Sequence, residues 1–100
     1  MVGLCMYNIL VYEWNEAKRL TNLQKHGLDF ADAGLVYENP NKVTYPSHRT
    51  DELRMQDTAV VGIEGRFLTL VYVPRENNIR LISFRRASLK ERRRYATAEG

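Results

Sequence analysis

The stretch RFLTLVYV, residues 66–73, is apolar at nearly every position, whereas its neighbours alternate or follow a helical period. Continuous apolarity suits a strand covered on both faces, so this stretch is expected at the centre of a sheet. Residues 57–63 and 79–86 flank it across a tight turn at Glu64-Gly65 and a longer one at 74–78, which predicts three antiparallel strands in a meander. A further strand is expected over 8–14. Residues 16–26 read as a helix, with Asn15 as N-cap, Gly27 as stop and Leu20 and Leu23 on one side; Lys18, Asn22 and Lys25 form a polar stripe roughly opposite, with His26 at its margin. Asp29, with Asp32 three residues on, caps a second helix whose buried side is Phe30, Ala33, Gly34 and Tyr37, ended by Asn39-Pro40-Asn41. From Lys42 to Arg54 the pattern is irregular, with a short strand at 43–45 and then a polar loop carrying His48, Arg49, Asp51 and Arg54. Ser88 and Glu91 have capping-box spacing for a last helix running through Tyr95. The fold class is α+β: an antiparallel sheet of about four strands, two helices in the N-terminal half and one at the C-terminus.

One hundred residues, 44% of them hydrophobic, suffice for one domain with one modest core, so 1–100 is expected to be a single unit. Within it, residues 1–8 read as a disordered or dispensable extension, with Met6 an alternative start that would leave 1–5 dispensable. The apolar opening MVGLCMYNILVY lacks the basic region and cleavage site of a signal peptide and is too short to span a bilayer. Cys5 is alone, and His26 and His48 lie far apart, so neither a disulfide nor metal-ligand spacing is present. A reducing compartment is expected, with no metal and no cofactor.

Charge sharpens this picture. The net charge of +3 conceals segregation: Arg75, Arg80, Arg85, Arg86, Lys90, Arg92, Arg93 and Arg94 face only Glu76 and Glu91, a local +6, while residues 1–74 sum to −2. Arginine's planar fork engages phosphate oxygens two at a time. A polyanionic partner, nucleic acid first, is implied.

Six pieces occur in order: EWNEAK at 13–18, NLQKHG at 22–27, FADA at 30–33, ELR at 52–54, LVYVPR at 70–75 and RLISFRRA at 80–87. Together they resemble the BrnT toxins, over about Ile9 to Tyr95. The resemblance implies a RelE-like fold, ribonuclease activity that blocks translation, a cytoplasmic location and neutralisation by a BrnA-like antitoxin in a hetero-oligomer. Ser83-Phe84-Arg85 departs from the family's usual S-A-R, and Asn15 stands where Asp is commoner. The first departure bears on substrate preference more than on reaction type.

Cleaving RNA without a metal requires a base for the ribose 2′-hydroxyl, cations for the charge that grows at phosphorus, and an acid for the 5′-oxygen. Arg75, Arg80 and Arg85, near strand ends, are the candidate cations, joined by Arg54. His26 titrates near neutrality and could transfer the proton, or it could cap the helix end; Lys25 is the alternative base. Lys18, Asn22, Arg86 and Tyr95 are candidate RNA-binding residues, Tyr95 by stacking on a base. Against these stand plainer roles: Arg80 as a scaffold residue sharing a strand face with Ile82 and Phe84, Arg75 and Arg54 as exposed charges, Lys18 as a solvated one. Arg92, Arg93 and Arg94 point in three directions around a helix, His48 reads as a loop residue, and Trp14 as a core anchor. The competing functional reading is a non-catalytic RNA-binding or antitoxin-binding module. A DNA-binding regulator is weaker, because no recognition-helix pair is visible.

Overall fold

The computed structural model describes residues 11–49 and 52–99. The expected extension at 1–8, the start at Met6, Cys5, and the first part of the 8–14 strand lie outside them. The continuously apolar segment is the central strand of a five-stranded sheet of order β1-β5-β4-β3-β2. In chain order the elements are β1 (Tyr12–Glu13), α1 (Glu16–His26), a 3₁₀ turn (Phe30–Asp32), α2 (Gly34–Tyr37), β2 (Val43–Arg49), β3 (Glu52–Val61), β4 (Arg66–Pro74), β5 (Ile79–Arg86) and α3 (Leu89–Glu99). From Leu68 to Val73 every residue of β4 is buried, as a strand covered on both faces must be.

Two expectations about the sheet need correction. It has five strands rather than about four, and it is mixed, because β1 pairs parallel to β5 through Tyr12↔Ile79 and Glu13↔Arg80. The region read as irregular is the hairpin β2–β3, paired antiparallel from Val43↔Thr58 to Arg49↔Glu52. The strand expected at 43–45 is the start of β2; Pro46 and the charged residues hid the rest, and both are tolerated because it is an edge strand.

The second expected helix is also interrupted. Asp29 caps the 3₁₀ turn through Ala31 N–H, and α2 follows as a single turn. Its buried side is Phe30, Ala33 and Val36, with Gly34 and Tyr37 only half-buried. Phe30, Ala33, Val36 and Leu28 pack on Ala59 of β3, Leu68, Leu70 and Tyr72 of β4, and Ile79, Leu81 and Phe84 of β5. Trp14 anchors the rim of this core, its ring edge-on to Phe30 at 6.2 Å. One carboxylate, Asp57, is fully buried at the edge of the core, where Lys42, Thr44 and Tyr72 all donate to it.

Both ends of α1 are as the sequence implied. Asn15 Oδ1 accepts from Lys18 N–H, and Gly27, at φ 71°, donates its N–H to Leu23 O. Its orientation is not. Leu20 and Leu23 are 52% and 37% exposed, while Asn22, expected on the outward polar stripe, is 7% exposed and faces the sheet. The cause is the edge of β5: β1 stops at Glu13, leaving the Phe84 backbone without a strand partner on that side. Asn22 Nδ2 donates to Phe84 O at 2.8 Å and to Leu28 O at 3.0 Å, and Phe84 N–H donates to Asn22 Oδ1 at 3.1 Å. Satisfying three buried backbone groups outweighs burying two leucines.

Replacing Asn22 with Ala should cost about 2–4 kcal/mol in urea denaturation, since it orphans a buried N–H and two carbonyls. Leu20→Gln should change stability by about 0.5 kcal/mol or less. The opposite ranking of the two variants would refute this docking of α1.

Candidate functional site

A β-bulge decides which side chains share the sheet face opposite the core. Tyr72 pairs with Leu81, but Val71 pairs with Ser83, so Ile82 is an extra residue in β5. Ile79, Leu81 and Phe84 therefore all turn to the core, whereas Arg80, Ser83 and Arg85 turn to the other face. Strict alternation would put Arg80 with Ile82 and Phe84; the bulge overturns that and brings Arg80 and Arg85 to one side.

On this face Gln56, Val71 and Ser83 form one cross-strand row, and Val73 pairs with Arg80 in the next. The register Met55↔Tyr72 puts Arg54 on the other side of Val73. Arg54 and Arg80 thus flank a buried valine, two strand spacings or roughly 10 Å apart along the sheet. Arg54 Nε donates to Glu52 Oε1 at 3.1 Å, and among the described residues its terminal nitrogens have no acceptor.

Arg85 is committed differently. It engages Glu91 with two prongs, Nη1 to Oε1 and Nη2 to Oε2, both at 2.9 Å. Glu91 also accepts from Ser88 N–H and from Thr69 Oγ1, which shares a hydrogen bond with Thr58. The capping-box spacing was legible, but this carboxylate also pins α3 to the sheet. Burial disfavours the charged form of Glu91, yet Arg85, Ser88 N–H and Thr69 together lower its pKa to about 2. An arginine expected to grip phosphate is here a structural tie.

α3 crosses the same face toward β2. Tyr95 meets Phe67 edge-on at 5.7 Å and Arg92 lies 4.8 Å over that ring, so Tyr95 packs inward instead of standing ready to stack on a base. On the opposite flank Arg94 lies 4.5 Å over Tyr45, and Leu89, Lys90, Arg93, Arg94, Thr97 and Tyr45 line a pocket of about 530 Å³. Tyr45 pairs with Gln56, so this pocket adjoins the floor rows. The helical period of LKERRRYAT could have placed Lys90, Arg93 and Arg94 on one flank; nothing in the sequence marked Tyr45, Gln56 or Ser83.

α1 borders the face along β5. Arg19 pairs with Asp29 on the core side, which leaves Lys18 and Lys25 exposed on the other flank. His26, one turn beyond Asn22, is half-buried and makes no side-chain hydrogen bond among the described residues. Burial, then the Lys25 and Arg85 cations, hold its pKa below the ordinary 6.5, so the neutral imidazole prevails at neutral pH. Arg75 stands apart in the β4–β5 turn, lining a cavity with Tyr37, Met55 and Tyr72. Arg86 is exposed at the end of β5. Asn22, expected to bind RNA, is buried and its amide is engaged with the Leu28 and Phe84 backbone. Among the described residues no group of three or more His, Cys, Asp or Glu could hold a metal ion, and no helix there is long and apolar enough to cross a membrane.

A family model described as "Ribonuclease toxin, BrnT, of type II toxin-antitoxin system" matches residues 14–91. No curated protein matches the chain.

Glu91 gives the fold an acid-sensitive tie. Its folded pKa lies below the unfolded 4.5, so its contribution is complete above about pH 5 and is lost as pH falls toward 2, amounting to about 3 kcal/mol. Urea denaturation across that range should show this loss, and Glu91→Gln should be less stable at neutral pH yet lack this part of the acid dependence. An unchanged acid limb in the variant would contradict the assignment.

Proposed function

We propose that this chain, which belongs to the BrnT family of ribonuclease toxins of type II toxin-antitoxin systems, cleaves RNA internally and without a metal in the cleft between α1, the open sheet face and α3. The observation that carries this reading is the bulge at Ile82, which puts Arg80 on the face of Arg54 with Val73 between them. The five-stranded sheet with its flanking helices is read as RelE-like, the RNA as messenger, and the location as cytoplasmic.

In this reading the scissile phosphate sits over Val71 and Val73. Arg54 and Arg80 meet its charge from the floor, Lys18 and Lys25 from the α1 flank, and Lys90 and Arg94 from α3. The ribose 2′-oxygen attacks phosphorus as its proton passes to neutral His26; the phosphorus–O5′ bond breaks and the 5′-oxygen takes a proton from water. The products are a 2′,3′-cyclic phosphate and a 5′-hydroxyl. Fixed guanidinium groups stabilise a charge that grows during the reaction more than one already present. His26 suits the base role because the shift toward its neutral form is already made in the folded chain. Family membership implies an antitoxin partner; a BrnA-like protein covering the cleft with an acidic segment fits its charge.

Purified protein in excess EDTA should leave cyclic-phosphate ends on RNA. Arg54→Ala and Arg80→Ala should each lower kcat/KM by about 10²–10³-fold while melting like the parent. The rate should fall as pH drops through a value below 6.5, because protonation removes the base, and His26→Gln should lose that limb with about 10²-fold of rate. Full activity in both arginine variants would remove the cleft from consideration. An acid limb persisting in His26→Gln would remove the base role from His26, and RNA bound but never cut would leave a binding module.

A further inference from the structure

On the far flank of α3, where β4 begins and β5 ends, arginines from three elements line one pocket. Arg66 of β4, Arg86 of β5 and Arg92 of α3 line a pocket of about 230 Å³ together with Gly65, Phe67 and Ala87. None of these six is acidic, and none of the three arginines makes a salt bridge among the described residues, although the neighbouring turn holds Glu64. Three cationic residues around one pocket repel one another, and a fold gains nothing from gathering them there unless an anion fills it. The walls are held firmly: Ala87 N–H donates to Phe67 O at 2.9 Å, and Arg92 is braced over the Phe67 ring. At about 30 Å³ per water, the space takes roughly seven waters, enough for a phosphate group and part of its hydration.

We propose that Arg66, Arg86 and Arg92 form a second phosphate-binding subsite, which holds the RNA backbone outside the cleavage cleft. This rests on the nuclease reading above and extends it. The chemistry favours a nucleic-acid phosphate over an antitoxin peptide. A docked peptide needs an apolar anchor pocket, but the one aromatic wall, Phe67, already carries Arg92 on its face and meets Tyr95 edge to face. Arginine forks, by contrast, match phosphate oxygens. The subsite and the pocket of Lys90, Arg93 and Arg94 lie on opposite flanks of α3, so a strand crossing this helix meets cations on both sides. The helix becomes a basic ridge under the RNA, and substrate length becomes a determinant of affinity.

The test compares two 2′-O-methyl RNAs, which bind but cannot be cut by 2′-oxygen attack: a short one sized to the cleft and a longer one able to cross α3. Arg66→Ala should weaken the longer RNA about tenfold and leave the short one unchanged. It should also reduce the salt dependence of the longer RNA by about 0.7 in log–log slope for each phosphate that the variant no longer neutralises. Arg66→Glu combined with Arg86→Glu should deepen the loss for the longer RNA. Equal weakening of both lengths, no weakening of either, or loss of antitoxin binding alone would overturn the subsite while leaving the cleft standing. Failure of the unmodified chain to bind either RNA would overturn the cleft as well.

Discussion

The edge of β5 must be closed, and one side-chain amide closes it. β1 supplies two paired residues and stops, so the Phe84 N–H and C=O would face an apolar seam without partners. Asn22 offers a donor and an acceptor with the spacing of a peptide group, and meets both. Because that amide lies mid-helix, closing the edge also fixes the rotation of α1. Lys18 and Lys25 are thereby left exposed on the flank away from Arg19, and His26, one turn after Asn22, comes close enough to Arg85 to feel its charge. A helix held by hydrophobic burial alone would turn Leu20 and Leu23 inward and carry those cations away from the sheet.

Glu91 plays the matching part on the other side. It joins β5, β4 and the start of α3, and does so as a charge that remains ionised despite burial because each of its oxygens is engaged. Between these two polar ties the bulge at Ile82 sets the floor. The extra residue lets β5 keep Ile79, Leu81 and Phe84 in the core while Arg80, Ser83 and Arg85 share the opposite face. The cleft is therefore built on strands and on helices tied to strands, the arrangement that holds charged groups in place most rigidly.

Features of this molecule that depend on nearest neighbours were legible in the sequence. Asn15, Gly27 and the Ser88–Glu91 pair act at the helix ends where local chemistry puts them, and the unbroken apolar run of β4 marks the centre of the sheet. What was not legible depends on partners distant in the chain. Asn22 reads as a surface residue until the unpaired edge 62 positions away is known. The bulge leaves no mark in RLISFRR, since alternation there is plausible in either phase. β2 was legible only as far as Tyr45, because an edge strand tolerates Pro46. Of the candidate site, Arg54 and Arg80 share one sheet face with Val73 between them, Lys18 and Lys25 are exposed on α1, His26 is half-buried at its end, and Arg75 lies in the β4–β5 turn. Asn22, Arg85 and Tyr95 prove to be packing or pairing residues, because burial and pairing are properties of the assembled sheet.

The distribution of acidic side chains explains how so cationic a surface coexists with a stable fold. Among the described residues, ion pairs engage Arg19, Lys42, Arg54 and Arg85. Arg19, Lys42 and Arg85 each tie one segment to another, and Arg54 keeps its terminal nitrogens uncommitted. The carboxylates thus go to the cations that hold the architecture together. Arg80, Lys90, Arg93 and Arg94 around the cleft, and Arg66, Arg86 and Arg92 beyond α3, make no ion pair there. Their mutual repulsion opposes folding and favours any polyanion that relieves it, so the same charge pattern that weakens the free chain strengthens its complexes. RNA and an acidic antitoxin segment would compete for that one electrostatic reward. On the reading proposed above, neutralisation of the toxin would require only occupation of the cationic cleft.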